Sequence, residues 1–193
     1  MTIPASSEQR AGDALVVVDV QNDFLSGGSL AVPGGNAVVA PLNAWLAAFA
    51  ADGLPVIATR DWHPPNHCSF VAQGGAWPPH CVAGTAGANF APMLALPPNA
   101  LVISKATTGE AEAYSGFAGT DLHARLQGLG VKRLFVGGLA TDYCVLTTVL
   151  DALRLGYAVM LLVDCIRAVD MKPGDGERAI VAMREAGALL LEG

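Results

Sequence analysis

Six short apolar runs, separated by stretches with helical spacing, set the limits on what this chain can fold into. The runs are Ala14 to Asp19, Pro55 to Arg60, Ala100 to Lys105, Lys132 to Gly137, Tyr157 to Asp164 and the short Ala188 to Leu191. Each has strand length, and the interior ones are rich in Val, Ile and Leu without an apolar–polar alternation. A strand apolar on both faces is buried on both faces, which is the mark of a parallel sheet covered on each side. Between the runs, Val38, Val39, Leu42, Trp45, Leu46 and Phe49 recur at helical spacing. Asp121 to Leu129, Asp142 to Leu155 and Gly176 to Ala186 also read as helices, the first two closed by Gly130 and Gly156. The expected fold is α/β: a three-layer sandwich with a mostly parallel six-stranded sheet and helices on both faces. One domain over 1–193 is expected, with 1–13 as a polar lead-in.

Composition removes other classes. Of 193 residues 52% are hydrophobic and 15% charged, which excludes a disordered chain. The net charge of −6 and the lack of any Lys/Arg run exclude a nucleic-acid footprint. No uninterrupted apolar stretch approaches the ~18–20 residues that cross a bilayer, so no membrane span is expected. The N-terminal MTIPASSEQR lacks the layout of a secretory signal, and a cytoplasmic protein is expected. Whether the apolar excess includes a homo-oligomer interface stays open.

Polar residues at strand ends matter most, because parallel sheets bind ligands beyond the carboxyl ends of their strands. Asp19, Asp61, Lys105 and the turn from Gly137 to Asp142 stand there. Cys144 follows that turn. With Thr141 as N-cap it would occupy the third helical position, where free N–H groups and the helix dipole favour a thiolate. Asp19 can take a thiol proton, and Lys105 can hold Asp19 and favour the anion. Each residue also has a plain alternative: a small buried cysteine, a loop-capping carboxylate, a solvated lysine. Their convergence on one sheet edge favours a site.

The segment 61–99 breaks the rhythm. It holds seven prolines and three of the four histidines, His63, His67 and His80. Long irregular segments in compact domains are usually functional. The fourth, His123, reads as an exposed helical imidazole. By spacing alone, His63, His67, Cys68, His80 and Cys81 offer a structural zinc knot, though only His63/His67 has a zinc-motif interval.

The blocks VVVDVQNDF, TRDWHPPNHCSF, WPPHCVAGTAGANF, SKAT, AYSGF and GLATDYCV, in this order, resemble the nicotinamidase branch of the isochorismatase-like cysteine hydrolases. The resemblance runs from Ala14 to the end. It implies hydrolysis of nicotinamide to nicotinate and ammonia through a cysteine thioester, serving NAD salvage, with pyrazinamide as a second substrate. It implies a catalytic triad of Asp19, Lys105 and Cys144. It further implies one divalent metal ion on Asp61, His63 and His80, with zinc foremost and Fe²⁺ or Mn²⁺ suited to the same donors. The metal would bind the ring nitrogen of the substrate. Phe24, Trp77, Tyr114 and Ala140 match substrate-pocket positions. The turn at Gly138 to Ala140 matches one with a cis peptide before the alanine, whose N–H would join that of Cys144 in an oxyanion hole. His67 does not match the spacing of relatives in which a histidine of this loop binds the metal, so it is expected behind the ligands or in the pocket. Another amide hydrolase of the superfamily, or a non-catalytic metal- or pyridine-binding protein, is the alternative.

Overall fold

The computed structural model describes residues 9–192, so most of the polar lead-in, residues 1–8, lies outside the described residues. Six strands, β1 (Asp13–Val18), β2 (Val56–Asp61), β3 (Leu101–Lys105), β4 (Arg133–Leu139), β5 (Ala158–Arg167) and β6 (Leu189–Leu191), form one sheet in the order β3-β2-β1-β4-β5-β6. Every pairing is parallel. The continuous apolar runs explain this, because each strand sends side chains into two cores. From β1, Leu15 and Val17 enter one core, while Ala14, Val16 and Val18 enter the other, and all five are fully buried.

The two faces are covered unequally. Helix α1 (Val39–Ala51) lies on the first face, packing Leu42, Trp45, Leu46 and Phe49 against Phe135, Met160 and Leu162. Phe135 meets Phe49 edge-on at 5.2 Å and Trp45 at 5.4 Å. Pro41 is tolerated because it stands in the first turn, where its missing N–H has no intrahelical partner. Helices α2 (Leu122–Gly128), α3 (Leu146–Arg154) and α4 (Asp175–Glu185) cover the second face through Leu122, Leu126, Val149, Ala152 and Met183.

The segment between β2 and β3 completes the first layer without a long helix or a sheet strand. It contributes Cys81, Ala88, Ala91 and Leu94 to that core. Backbone bonds fix its course: His63 N–H donates to Cys81 at 3.0 Å, Ala83 N–H to His63 at 2.8 Å, and Asn22 N–H to Asn89 at 2.9 Å. The Asp23 carboxylate accepts from the Cys81 N–H at 2.7 Å.

One expectation needs correction. The helix expected over 142–155 is two pieces: a π turn, Thr141–Val145, and then α3. Ala140, in extended conformation, holds the N-cap position, and Thr141 caps nothing. The Ala140 carbonyl accepts from Tyr143 and Val145, each at 3.1 Å. A regular helix would give that carbonyl the Cys144 N–H. The widened turn passes over it, and such turns recur at functional sites.

The sheet order reverses between β1 and β4, the crevice where open parallel sheets bind ligands. Gly138 lets the two strands approach there. It has φ +130°, and a Cβ on it would stand 2.0 Å from the Val18 carbonyl oxygen. Replacing Gly138 with Ala combines a forbidden backbone region with a backbone collision. It is expected to lower stability by about 3 kcal/mol or more. A urea unfolding midpoint within error of wild type would show that β1 and β4 separate at no cost.

Candidate active site

Three strand ends and the π turn deliver the chemistry. Asp19 follows β1, Asp61 and Lys105 end the paired strands β2 and β3, and Cys144 sits in the turn after β4. Asp61 and Lys105 are direct register partners, so their side chains emerge together. The lysine is the hub. Its ammonium lies 2.9 Å from Asp19 Oδ2, 2.5 Å from Asp61 Oδ1, 3.1 Å from the Ala113 carbonyl and 3.4 Å from Cys144 Sγ. Asp19 is held from its other oxygen by the Thr59 hydroxyl, which donates at 2.6 Å. Asp19, Asp61 and Cys144 present atoms that all lie within 4.8 Å of one another. The solvated alternative for Lys105 fails, since the side chain is fully buried.

Burial decides the protonation of this group. It raises the Asp19 pKa, and Lys105 only partly opposes that rise. For Asp61 burial also acts upward, but Lys105 and His63 together outweigh it and hold the carboxyl well below the ordinary range. Burial pushes the Cys144 thiol well above its ordinary value, with Lys105 the main opposing influence. Burial thus works against the thiolate that the helix end and Lys105 favour. Among the described residues, three of the four non-glycine residues with positive φ stand at or beside these groups: Asp19 at 49°, Cys81 at 46° and Ala106 at 50°. Such backbone costs of order 1–2 kcal/mol per residue, and it clusters at working sites.

Asp61, His63 and His80 form the second constellation, with one donor atom from each lying within 4.8 Å of the others. His63 is buried with both ring nitrogens lacking a hydrogen-bond partner. A buried imidazole left so is costly unless something else accepts its lone pair. His80 donates through Nδ1 to the Pro78 carbonyl at 2.8 Å, which leaves Nε2 as the free lone pair. Asp61 uses Oδ1 on Lys105 and turns Oδ2 toward His63, 3.6 Å away. Two neutral histidines and one carboxylate, with positions left open, fit a divalent transition metal. The alternative zinc knot does not assemble among the described residues, where no metal-capable group includes Cys68, Cys81 or His67. His67 is buried behind the ligands, its ring 4.1 Å from that of His63, and it does not line the pocket.

A small, mostly apolar cavity opens onto Cys144 and Asp61. Phe24, Trp77, Tyr114 and Ala140 line it, as the sequence suggests, along with His80. Four lining residues were missed: Leu30, Val32, Tyr143 and Val169. Tyr143 had a signal, since it immediately precedes Cys144. It packs against Trp77 at 5.2 Å and Tyr114 at 5.5 Å, and the Trp77 indole donates to the Tyr114 hydroxyl at 2.9 Å. Leu139–Ala140 is cis, as expected. Gln21 was also missed. Its amide accepts from the Asp61 N–H at 2.8 Å and donates to the Asp61 and Ala88 carbonyls at 2.9 Å each, locking β2's end to the long segment. His123 is half-buried and bonded to the Tyr157 hydroxyl at 2.9 Å, not an exposed imidazole.

Removing the hub cation leaves two buried carboxylates unpaired. Lys105→Met is expected to cost about 3–5 kcal/mol at pH 7. In that variant both carboxyls have folded-state pKa values above their unfolded ones. The penalty is then full at neutral pH and shrinks as both protonate toward pH ~4. Urea unfolding of metal-free wild type and variant at the two pH values measures it, and an equal penalty at both would contradict the buried-pair account.

The comparisons agree with this geometry. The Isochorismatase domain family matches residues 13–192. The chain is 40% identical to the nicotinamidase of Escherichia coli over 198 residues, 92% of this chain and 93% of that one. The crystal structure of the Pyrococcus horikoshii pyrazinamidase in complex with zinc superposes with a TM-score of 0.90 at 48% identity, covering 94% of this chain and 99% of that one. PnC1 from L. infantum, in complex with nicotinate, gives 0.85 at 40% identity, covering 94% and 93%. A parallel sheet ending in Asp19, Asp61, Lys105 and Cys144, matched along nearly its whole length, places this chain in the isochorismatase family.

Proposed function

We propose that the chain is a nicotinamidase: it hydrolyses nicotinamide to nicotinate and ammonia, and pyrazinamide by the same route. The observation that carries this reading is a buried Asp19–Lys105–Cys144 group whose cysteine lines an aromatic cavity, with Asp61 and His80 in the cavity wall and His63 grouped with them. The relatives bearing the name nicotinamidase or pyrazinamidase support it. The product would feed NAD salvage.

The residues divide the work as follows. A flat heteroaromatic ring is held among Phe24, Trp77, Tyr114 and Tyr143. A divalent ion on Asp61, His63 and His80, zinc first among the candidates, would supply an electrophile that a ring nitrogen can bind. Asp19 has its pKa raised by burial, which brings it toward the range of a useful general base. It takes the proton of Cys144, and the thiolate attacks the carboxamide carbon. The oxygen becomes an oxyanion, which the N–H groups of Ala140 and Cys144 receive. The π turn leaves the Cys144 N–H out of the bonds to the Ala140 carbonyl. Protonated Asp19 then gives its proton to the departing nitrogen, the C–N bond breaks, and ammonia leaves a thioester. Water attacks that thioester as Asp19 takes one of its protons, the C–S bond breaks, and nicotinate is released with the thiol restored. Lys105 stays charged throughout and offsets the negative charge that moves between Asp19 and Cys144.

Ammonia release from nicotinamide is the direct test, and no release by metal-replete protein would refute the reading. Cys144→Ser is expected to lower kcat about a thousandfold or more while keeping the fold. Mass spectrometry with a pyridine aldehyde should place the adduct on Cys144, and an adduct on Cys68, Cys81 or Cys165 would remove it from the role. Asp61→Ala and His80→Ala should each release the metal and raise KM, whereas Cys68→Ser and Cys81→Ser should leave metal content unchanged. Metal analysis of the purified variants decides this, and the reverse pattern would point to a cysteine zinc site.

A further inference from the structure

The third histidine of the site region has both ring nitrogens engaged. His67 Nδ1 lies 2.7 Å from Ser69 Oγ and accepts from the Ser69 N–H at 3.3 Å. Its Nε2 lies 3.1 Å from the Ala111 carbonyl oxygen. A carbonyl can only accept, so Nε2 carries the hydrogen, and Nδ1, receiving an N–H, carries the lone pair. The imidazole is a neutral crosslink with no lone pair directed at the metal ligands.

The far end of that crosslink is the segment from Ala106 to Tyr114. It crosses the carboxyl end of β3 with the side chains of Thr107, Thr108, Glu110, Ala111 and Glu112 exposed. Underneath, three carbonyls at two-residue intervals are tied down: Gly109 by the Cys68 N–H at 2.8 Å, Ala111 by His67, and Ala113 by the Lys105 ammonium at 3.1 Å. Tyr114, next in the chain, lines the cavity and accepts from Trp77. An exposed segment with no sheet ladder of its own depends on such bonds for its position. His67 provides the only buried side-chain tie, among the described residues, between the two bonds that touch the backbone at Gly109 and Ala113.

We propose that His67 is a positioning residue: by donating Nε2–H to the Ala111 carbonyl it straps residues 106–114 over the site, seating the Ala113 carbonyl on Lys105 and Tyr114 in the substrate cavity. The strap is read from contacts, and only its effect on turnover rests on the nicotinamidase reading.

Two substitutions separate this role from metal ligation. His67→Leu fills the space without a donor, while His67→Gln returns an amide N–H at about the reach of Nε2. Hydrogen exchange of the metal-loaded protein, metal content and steady-state kinetics are measured together. Expected for His67→Leu are one metal ion per chain as in wild type, faster exchange of the Cys68 amide, whose N–H donates to the strap's Gly109 carbonyl, and kcat/KM lower by about tenfold or more. His67→Gln should restore the exchange protection and most of the activity. Loss of metal from both variants with the strap still protected would make His67 a ligand and overturn the proposal. Unchanged exchange together with unchanged kcat/KM would overturn it too. If His67→Leu does not fold, Ser69→Ala, which removes the 2.7 Å hydroxyl contact and leaves Nδ1 only the longer Ser69 N–H bond, should show the same exchange pattern to a smaller degree, and full protection there would count against the strap. Wild type that releases no ammonia from nicotinamide would defeat the functional reading, while the exchange arm would still judge the strap.

Discussion

A fully buried ammonium holds this molecule's working end together. Lys105 has no access to water, so its charge must be met by protein groups. Asp61 meets it from the adjacent strand β2 and Asp19 from the end of β1 beyond, and the Ala113 carbonyl also contacts it from the strap. One cation thus fixes the ends of β1, β2 and β3 relative to one another. It also joins two clusters of side chains. Asp19 belongs with Cys144, whereas Asp61 belongs with His63 and His80. Two carboxylates against one ammonium leave an excess negative charge, which suits a divalent ion at the open side of Asp61.

The unequal covering of the sheet explains the pocket. Three helices fill the second face, but α1 is the one long helix on the first, and the segment between β2 and β3 must finish that layer. A segment with seven prolines cannot do so as a helix. It folds instead by bonds to the residues after β1, through Asn22 and Asp23, and by a bridge from its start at His63 to its middle at Val82. That bridge brings His63 and His80 into one site. The same segment carries Trp77 to the cavity. The irregular layer therefore supplies part of the cavity's wall.

Much of this was legible in one dimension. Continuous apolar runs such as that from Ala14 to Val18 dictate burial on both faces, hence a parallel sheet, hence ligand chemistry at the carboxyl ends. From there Asp19, Lys105 and Cys144 follow as candidates, because a strand's last residue is fixed by where its apolar run stops. The histidine-rich segment announced itself by interrupting the strand–helix rhythm. Helix boundaries near Cys144 were misread because local sequence favours a regular helix there. The observed turn is set instead by the Ala140 carbonyl, which accepts from Tyr143 and Val145.

What the sequence determined by itself was the order of elements, the two-sided burial and the identity of the polar residues at strand ends. These depend on periodicity and on local steric rules, which act between neighbours in the chain. Only the tertiary structure decided that Lys105 is buried and shared between Asp19 and Asp61, and that the Cys144 sulfur is buried beside its ammonium. Only it decided that His67 faces a backbone carbonyl while His63 keeps both nitrogens unpaired, and that Tyr143 and Gln21 belong to the site. Each of these turns on burial or on a partner distant in the chain: Asp61 and Lys105 stand 44 residues apart, and Gln21 and Asp61 stand 40 apart. Desolvation and hydrogen-bond pairing are properties of the packed whole, so no pattern along the chain could have announced them.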